Sequence, residues 1–431
     1  MKLWEKETKL NELVETFTIG NDADFDLKLA KFDVQGTLAH ITMLEKIGLL
    51  TKQELDHLKE ALDNIARTIE KGDFQIEKGV EDVHSQIELM LTQQLGDVGK
   101  KIHAGRSRND QVMVDLRLFF RSEMNELAKL VSELFEVLLM QSKKYEEVLM
   151  PGYTHTQIAM VSSFGLWFSA YAESLVDDLI LLQAVYQINN HNPLGSAAGY
   201  GNSFPLDRKE TTKLLEFHDL SYNVIHAQMG RGKTEQFLSF ALSGLGATLG
   251  KLASDIVLFS NENFRFLKLP DEFTTGSSIM PHKKNPDVFE LIRGHCNLFQ
   301  SLPTQVSMLT SNLISGYHRD YQLLKEIIFP ALENLKKCIL LSTQSLSQIQ
   351  IKNEILKEEK YKYLYTVEKV NELVKNGTPF RDAYKKVAFE IDDGTFSYAK
   401  DIQHTHEGSI GNLCLPEIRK KMESVINQFK F

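Results

Sequence analysis

The densest group of chemically capable side chains lies between residues 274 and 287, Thr-Thr-Gly-Ser-Ser-Ile-Met-Pro-His-Lys-Lys-Asn-Pro-Asp. Ser277 and Ser278 offer hydroxyls, Lys283 and Lys284 ammonium groups, and Asn285 an amide. Such a donor-rich set suits an anion, a carboxylate above all. Gly276, Pro281 and Pro286 exclude a helix interior and a central strand, because proline lacks a backbone donor and blocks the preceding turn. The stretch reads as a loop between two helical segments, with Ile279 and Met280 available to anchor it. Loops of this length without structure of their own are uncommon unless functional or disordered. The plain alternative is a solvated connector with a chance Lys-Lys pair.

Three further clusters could do chemistry. In 96–111, Arg106 and Arg108 can grip a carboxylate bidentately. Ser107 and Asn109 add neutral hydrogen-bonding groups, and Asp110 could orient an arginine. An ordinary charged helix entrance, with Ser107 or Asn109 as N-cap, explains the same residues. Both readings hold together, since helix N-termini are themselves anion sites. In 150–157, His155 stands between Thr154 and Thr156 in a Pro-Gly turn joining two long helices, and structural and functional readings balance there. In 315–326, Tyr317 sits at a loop edge. Gln322 and Lys325 share a face if the chain is helical from 318, and an amide beside an ammonium can hold a second anionic or amino-acid group. A surface pair is the alternative. His84 reads first as a polar residue satisfied at a helix start. The glycine-rich stretch 191–201 lacks a terminal Gly-Lys-Ser/Thr and follows no strand, so neither phosphate-loop fingerprint applies.

Helices must position these groups. Thr51 and Glu54 form a capping box, Leu55, Leu58, Leu62, Ile65 and Ile69 recur at helical spacing, and Gly72 stops the run. Residues 112–146 predict one long helix and 163–189 another, whose aromatic stripe (Phe164, Trp167, Phe168, Tyr171) reads as core. A third spans 233–268, with Gly244, Gly246 and Gly250 spaced for close helix approach. Helices at 287–314 and 319–350 are kinked or divided at Pro303 and Pro330. Gly20, Gly36 and Gly48 break the first fifty residues. Beyond 351 lies a small charged helical tail, with Thr366 capping one helix, Gly377 ending it and Pro379 in the first turn of the next. No stretch makes a convincing strand. The class is all-α.

Composition sets bounds. The chain has 431 residues, 42% of them hydrophobic, and a net charge of -9. That charge disfavours nucleic acid as a partner. No apolar run reads as long enough to span a bilayer, and the charged start Met1-Lys2-Leu3-Trp4-Glu5-Lys6-Glu7 has no signal core. Cys296, Cys338 and Cys414 fit a reducing cytosol and give no metal-ligand spacing.

Residues 276–286, Gly-Ser-Ser-Ile-Met-Pro-His-Lys-Lys-Asn-Pro, resemble the signature of the fumarase/aspartase superfamily, whose members eliminate across a C–N or C–O bond and release fumarate. Within it, Gly-Arg-Ser-Arg-Asn-Asp-Gln at 105–111, Pro-Gly-Tyr-Thr-His at 151–155 and the set Tyr317, Gln322, Lys325 resemble the argininosuccinate lyase and delta-crystallin branch. The resemblance implies an all-α fold, with a long central helical bundle (108–350) flanked by two smaller helical domains (1–107 and 351–431). It implies a cytoplasmic homotetramer with active sites shared between subunits, a small-molecule substrate, and neither metal nor organic cofactor. It implies Ser277 as general base and His155 as the acid assisting the departing guanidinium nitrogen. Arg108, Asn109, Thr154, Lys283, Asn285, Tyr317, Gln322 and Lys325 would bind substrate. The expected reaction yields arginine and fumarate. The chain departs from the branch in four places: Trp4 precedes Glu5-Lys6-Glu7 instead of Gly-Gly-Arg-Phe, Asp22 stands at a substrate-contacting serine, Leu323-Leu324 replaces an acidic pair, and Ala104 a threonine. These bear on the amine half of the substrate. A lyase acting on a related succinyl-amine, and a crystallin-like structural protein, remain the alternatives.

Overall fold

The computed structural model describes residues 12–399, 402 and 404–430; Trp4 and the charged stretch around it lie outside these. Four long helices form the body: Arg108–Lys144, Phe164–Asn189, Lys233–Ser260 and Leu324–Ser347. The first has 37 residues, so it spans about 55 Å at 1.5 Å per residue. It packs on both the second and the fourth, and the third packs on the second and on Asp287–Phe299. The aromatic stripe is core, with Phe164, Phe168, Leu175, Leu179 and Leu182 buried. Its polar atoms reach across helices. Trp167 Nε1 and Tyr171 Oη both donate to Asp255 Oδ2, at 2.9 and 2.7 Å.

The glycines of the third helix work as their spacing predicts. A Cβ on Gly246 would lie 3.1 Å from the Phe299 ring, and one on Gly250 would lie 3.0 Å from Cys296 Cβ. The Thr51 capping box is present, with Glu54 N donating to Thr51 Oγ1 at 3.2 Å and Thr51 N to Glu54 Oε2 at 2.8 Å. Leu55, Leu58, Leu62 and Ile65 are buried along Lys52–Glu70.

Several local expectations need correction. Gly36 does not break the chain. It lies inside Ala30–Lys46, where an added Cβ would meet Val114 at 3.2 Å, so it brings that helix close to the 108–144 helix. The 233 helix stops at Ser260, and Leu267–Lys268 pairs antiparallel with Gln350–Ile351. The segment after the signature loop divides at Gln300–Ser301, just before Pro303 in Leu302–Thr310, whereas Pro330 stays inside an unbroken helix. Thr366 is the first residue of its helix and not the cap, its hydroxyl donating to Tyr363 O; Pro379 is itself an N-cap. There are strands: Leu149–Thr154 and Gln157–Ser163 form an antiparallel hairpin. Pro151 is paired opposite Val161, and the register shifts between Pro151 and Tyr153, which is how a proline and a glycine fit in a strand.

The 233–260 helix also corrects the bilayer expectation, since by length and composition it is apolar enough to cross one. It is a core helix, yet only 44% of its most apolar window is buried. Phe240 and Leu258 on it, Ile180, Leu181 and Ile188 on the second helix, and Leu291 and Leu298 on Asp287–Phe299 are exposed. Single exposed apolar residues need no explanation, but these fall together on adjoining central helices. A small separate core of Val370, Ala383 and Val387 lies near the C-terminus, while Leu415–Ile426 returns to pack on the first two long helices.

The tightest helix entry is at Gly165. Its N–H donates to Tyr145 O at 3.1 Å, its carbonyl accepts from Ser142 Oγ at 2.6 Å, and an added Cβ would sit 2.5 Å from Glu146 Cα. Backbone cannot move aside as a side-chain tip can. Gly165→Ala should therefore cost about 1–3 kcal/mol, seen as a lower urea midpoint with an unchanged slope.

Candidate active site

A cavity of about 500 Å³ opens where the N-terminal segment, the start of Val83–Leu95, the start of Arg108–Lys144 and the 317–325 turn converge. Six of the residues singled out in the sequence line it: Ser107, Arg108, Asn109, Tyr317, Gln322 and Lys325. Asp22, the departure at the serine position, lines it too.

Ser107 is the N-cap of the long helix. Asn109 N donates to its hydroxyl at 3.3 Å, and Ser107 N donates to Asp110 Oδ1 at 2.8 Å. Asp110 does not orient an arginine as expected. Its second oxygen accepts from Gly195 N and Ala197 N, at 3.0 and 2.9 Å. The buried carboxylate thus ties the glycine-rich loop to the helix start. Burial pushes Asp110 up to about 6, and those backbone donors hold it down against that.

The two arginines of this run part company. Arg108 pairs with Asp82 at the cavity wall. Arg106 turns inward and is buried, donating to Thr37 Oγ1 at 3.0 Å, so the two do not grip one carboxylate together. Arg106 instead faces a buried cluster. His84 Nδ1 lies 2.9 Å from Asp33 Oδ1 and 3.4 Å from Asp115 Oδ2. Burial raises Asp33, but His84, Arg106 and Arg108 outweigh it and leave the carboxyl below its usual range. Burial and the Asp33 charge push Asp115 well above it. Among the described residues Asp33, His84 and Asp115 have the donor set of a cation site; the Arg106 guanidinium, which acts on both carboxyls, already supplies positive charge there.

Across the cavity, Arg319–Leu323 is a single 3₁₀ stretch and Leu324 begins the helix, so Gln322 and Lys325 do project together. Both grip the N-terminal segment. Gln322 Nε2 donates to Thr18 O and Ile19 O at 3.1 and 3.0 Å. Lys325 Nζ meets Asp26 Oδ1 at 2.5 Å and Asp22 Oδ1 at 2.9 Å. Burial lowers the Lys325 pKa, but the two carboxylates more than reverse that and raise it overall. Tyr317 is exposed at the rim.

The remaining residues lie elsewhere, and the cavity lining includes neither Ser277 nor His155. Thr154 and His155 are exposed at the tip of the hairpin. The turn is at His155 and Thr156, not at Pro151-Gly152, with φ of 53° and 63°. Two successive left-handed residues are what a two-residue hairpin turn with matching twist requires.

The 274–287 segment is a loop as expected, closed at its base by mutual backbone bonds between Thr275 and Asn285, at 3.1 and 2.8 Å. Lys284 pairs with Asp271 at 2.5 Å, and Thr275 Oγ1 with Asp287. Ser277 Oγ accepts from Met280 N at 3.1 Å and Ile279 N at 3.4 Å. Lys283 is exposed, and Asn285 Nδ2 donates to Gly276 O at 3.4 Å. Ile279 and Met280 do not anchor the loop within the chain; both are exposed.

Sequence reading missed Asp26, Glu81, Asp82, His103, Arg231 and Arg319 on the cavity wall. The four-residue spacing of Asp22 and Asp26 was a usable signal, because it puts two carboxylates on one helix face. Nothing local distinguished Arg231.

Residues 5–299 match the family described as Lyase. The chain is 58% identical to the argininosuccinate lyase of Bacteroides thetaiotaomicron over 430 residues, covering 100% of this chain and 96% of that protein. It is 42% identical to the argininosuccinate lyase of Thermotoga neapolitana over 387 residues, 90% of this chain and 97% of that protein. In fold it is similar to EDDS lyase in complex with formate, with a TM-score of 0.75 at 22% identity over 98% of this chain and 91% of that one. It is also similar to the class II fumarase of Schistosoma mansoni, with a TM-score of 0.69 at 16% identity over 95% and 94%.

Two histidines near the cavity are held neutral. Burial brings His40 down to about 3 and His103 to about 4. His40 is fully buried, with Nε2 2.9 Å from Ala104 O, just before Arg106. In the unfolded chain each would titrate near 6.5. The stability they contribute is therefore complete above about pH 6.5 and is lost as pH falls toward the folded values. His40 alone should cost up to about 1.4 kcal/mol per pH unit below 6.5. His40→Gln, which keeps a donor for Ala104 O, should flatten the acid limb of a plot of urea midpoint against pH.

Proposed function

We infer the chemistry from family membership: the chain belongs to the lyase family, in its argininosuccinate lyase branch, and is a carbon–nitrogen lyase. The reaction is the reversible elimination of argininosuccinate to arginine and fumarate. Its difficulty is the proton on the carbon next to a carboxylate, which is weakly acidic. Removing it leaves an aci-carboxylate with two negative charges, and stabilising that charge is the largest need.

Ser277 is the base. The observation that carries this reading is the pair of backbone N–H groups, Ile279 and Met280, directed at its oxygen. Donors aimed at an oxygen favour its ionised form, which a serine needs to act as a base. Lys283 and Asn285 stabilise the charge developing on the succinate half. The electron pair then expels the guanidinium nitrogen, and His155, exposed at its hairpin tip beside Thr154, gives that nitrogen a proton. The cavity takes the arginine half, with Asn109, Arg108, Tyr317, Gln322 and Lys325 around it.

Neither the hairpin nor the 274–287 loop lines the cavity of the same chain, and the central helices leave apolar clusters exposed. Both features support a homotetramer in which the hairpin, the loop and the cavity of a site come from different subunits. The three cysteines are unpaired, as suits a cytoplasmic enzyme.

Ser277→Ala should lower turnover by about a hundredfold or more with little change in substrate affinity, because a methyl for a hydroxyl removes the base and almost no binding surface. His155→Asn should be slow as well. Mixing the two inactive variants after dissociation should restore part of the fumarate-forming activity, since some mixed sites draw both loops from intact copies. Activity that stays at background means that one subunit supplies both loops. Near-normal turnover by Ser277→Ala removes serine as the base.

A further inference from the structure

Among the described residues, each arginine on the cavity wall has a carboxylate partner, and Lys325 has two. Arg108 is met by Asp82, Arg319 by Glu81 at 3.4 Å, and Arg231 by Glu235 at 3.2 Å. Lys325 faces two carboxylates, Asp26 at 2.5 Å and Asp22 at 2.9 Å. The two are not equivalent. Asp26 is buried to 2% side-chain exposure and accepts a short hydrogen bond from the ammonium, while its other oxygen accepts from Val83 N at 3.4 Å. Asp22 keeps 18% exposure and lines the cavity, with its Oδ1 2.9 Å from the ammonium. Asp26 is thus the buried partner of Lys325, and Asp22 is a second, more exposed carboxylate facing the substrate space.

We propose that Asp22 is a specificity residue that recognises the α-ammonium group of the amine half of the substrate. This rests on reading the cavity as the seat of the arginine half. The guanidinium stands at the bond being broken and belongs with Ser277 and His155, which the cavity lacks. The end of the molecule that enters the cavity is therefore its amino-acid end, a cation and an anion one carbon apart. Gln322 and Lys325 are largely occupied by Thr18, Ile19 and Asp26, so the ammonium has the clearer partner. A carboxylate there also disfavours amine halves whose α-nitrogen is absent or acylated, because two carboxylates, Asp22 and Asp26, would then be left sharing the Lys325 ammonium.

The reverse reaction tests this with the intact enzyme. Fumarate consumption is followed with arginine and with its des-amino analogue, a guanidino-pentanoate. The wild-type enzyme should prefer arginine in kcat/KM by about a hundredfold. In Asp22→Asn the KM for arginine should rise about tenfold or more while that for fumarate stays within about twofold, and the preference over the analogue should collapse. Asp22→Glu should restore part of it. A merely structural Asp22 would weaken both amines alike, and an unchanged preference in a folded Asp22→Asn enzyme overturns the proposal alone. No addition of arginine to fumarate by the wild type overturns the proposed reaction, and this inference with it.

Discussion

Lys325 is an ammonium buried to 4% exposure. Removing the partner of such a charge typically costs about 3–5 kcal/mol, because an uncompensated ion is left behind. The cavity is built on meeting that demand. Lys325 stands at the first turn of Leu324–Ser347, and its carboxylates belong to Asp22–Asp26, about three hundred residues earlier. Asp26 then accepts from Val83 N, fixing the start of the helix whose cap, Asp82, holds Arg108. One chain of polar contacts therefore runs from the fourth long helix through the N-terminal segment to the opposite wall. Arg319 and Gln322 reinforce it by donating to Thr18 O.

A second buried knot lies beneath. Asp33, His84 and Asp115 come from three helices and are matched by Arg106. It explains why Arg106 and Arg108, neighbours but one in sequence, have different tasks. Ser107 is the N-cap between them, so Arg108 enters the helix and Arg106 remains in the incoming turn. Its guanidinium is fully desolvated, and Asp33, Asp110 and Asp115 offset that cost. Whatever ligand charge the cavity meets, this layer holds the helices on which Arg108 and Asn109 stand.

The helical body could be read from the sequence because its signals are local: a 3.6-residue period, a capping box and glycines at helix contacts. The cavity residues Arg108, Asn109, Gln322 and Lys325 could be found because polar groups crowd around helix starts. The hairpin could not. Pro151 and Gly152 are strand-breaking types, and only pairing with Val161 and a register shift accommodate them. The direction of Arg106 was equally hidden, since Thr37, Asp33 and Asp115 are distant in sequence. Ile279 and Met280 looked like anchors because apolar residues in a loop usually bury; within one chain they have nothing to bury against.

The two exposed loops solve a common problem by opposite means. The 274–287 loop is closed at its neck by Thr275–Asn285 and Lys284–Asp271, and within it Ser277 keeps its backbone donors. The hairpin is held along its length and carries strain at its tip. Left-handed conformations at two residues that are not glycine cost free energy, of order 1–3 kcal/mol each. Glycine at 156 would relieve that strain and also let the tip sample other turns. In the proton-donating role proposed for it, His155 needs a fixed direction more than a relaxed backbone. Pairing of Leu149–Thr154 with Gln157–Ser163 is what opposes the strain, so the hairpin, which no sequence period announced, is the element that aims His155.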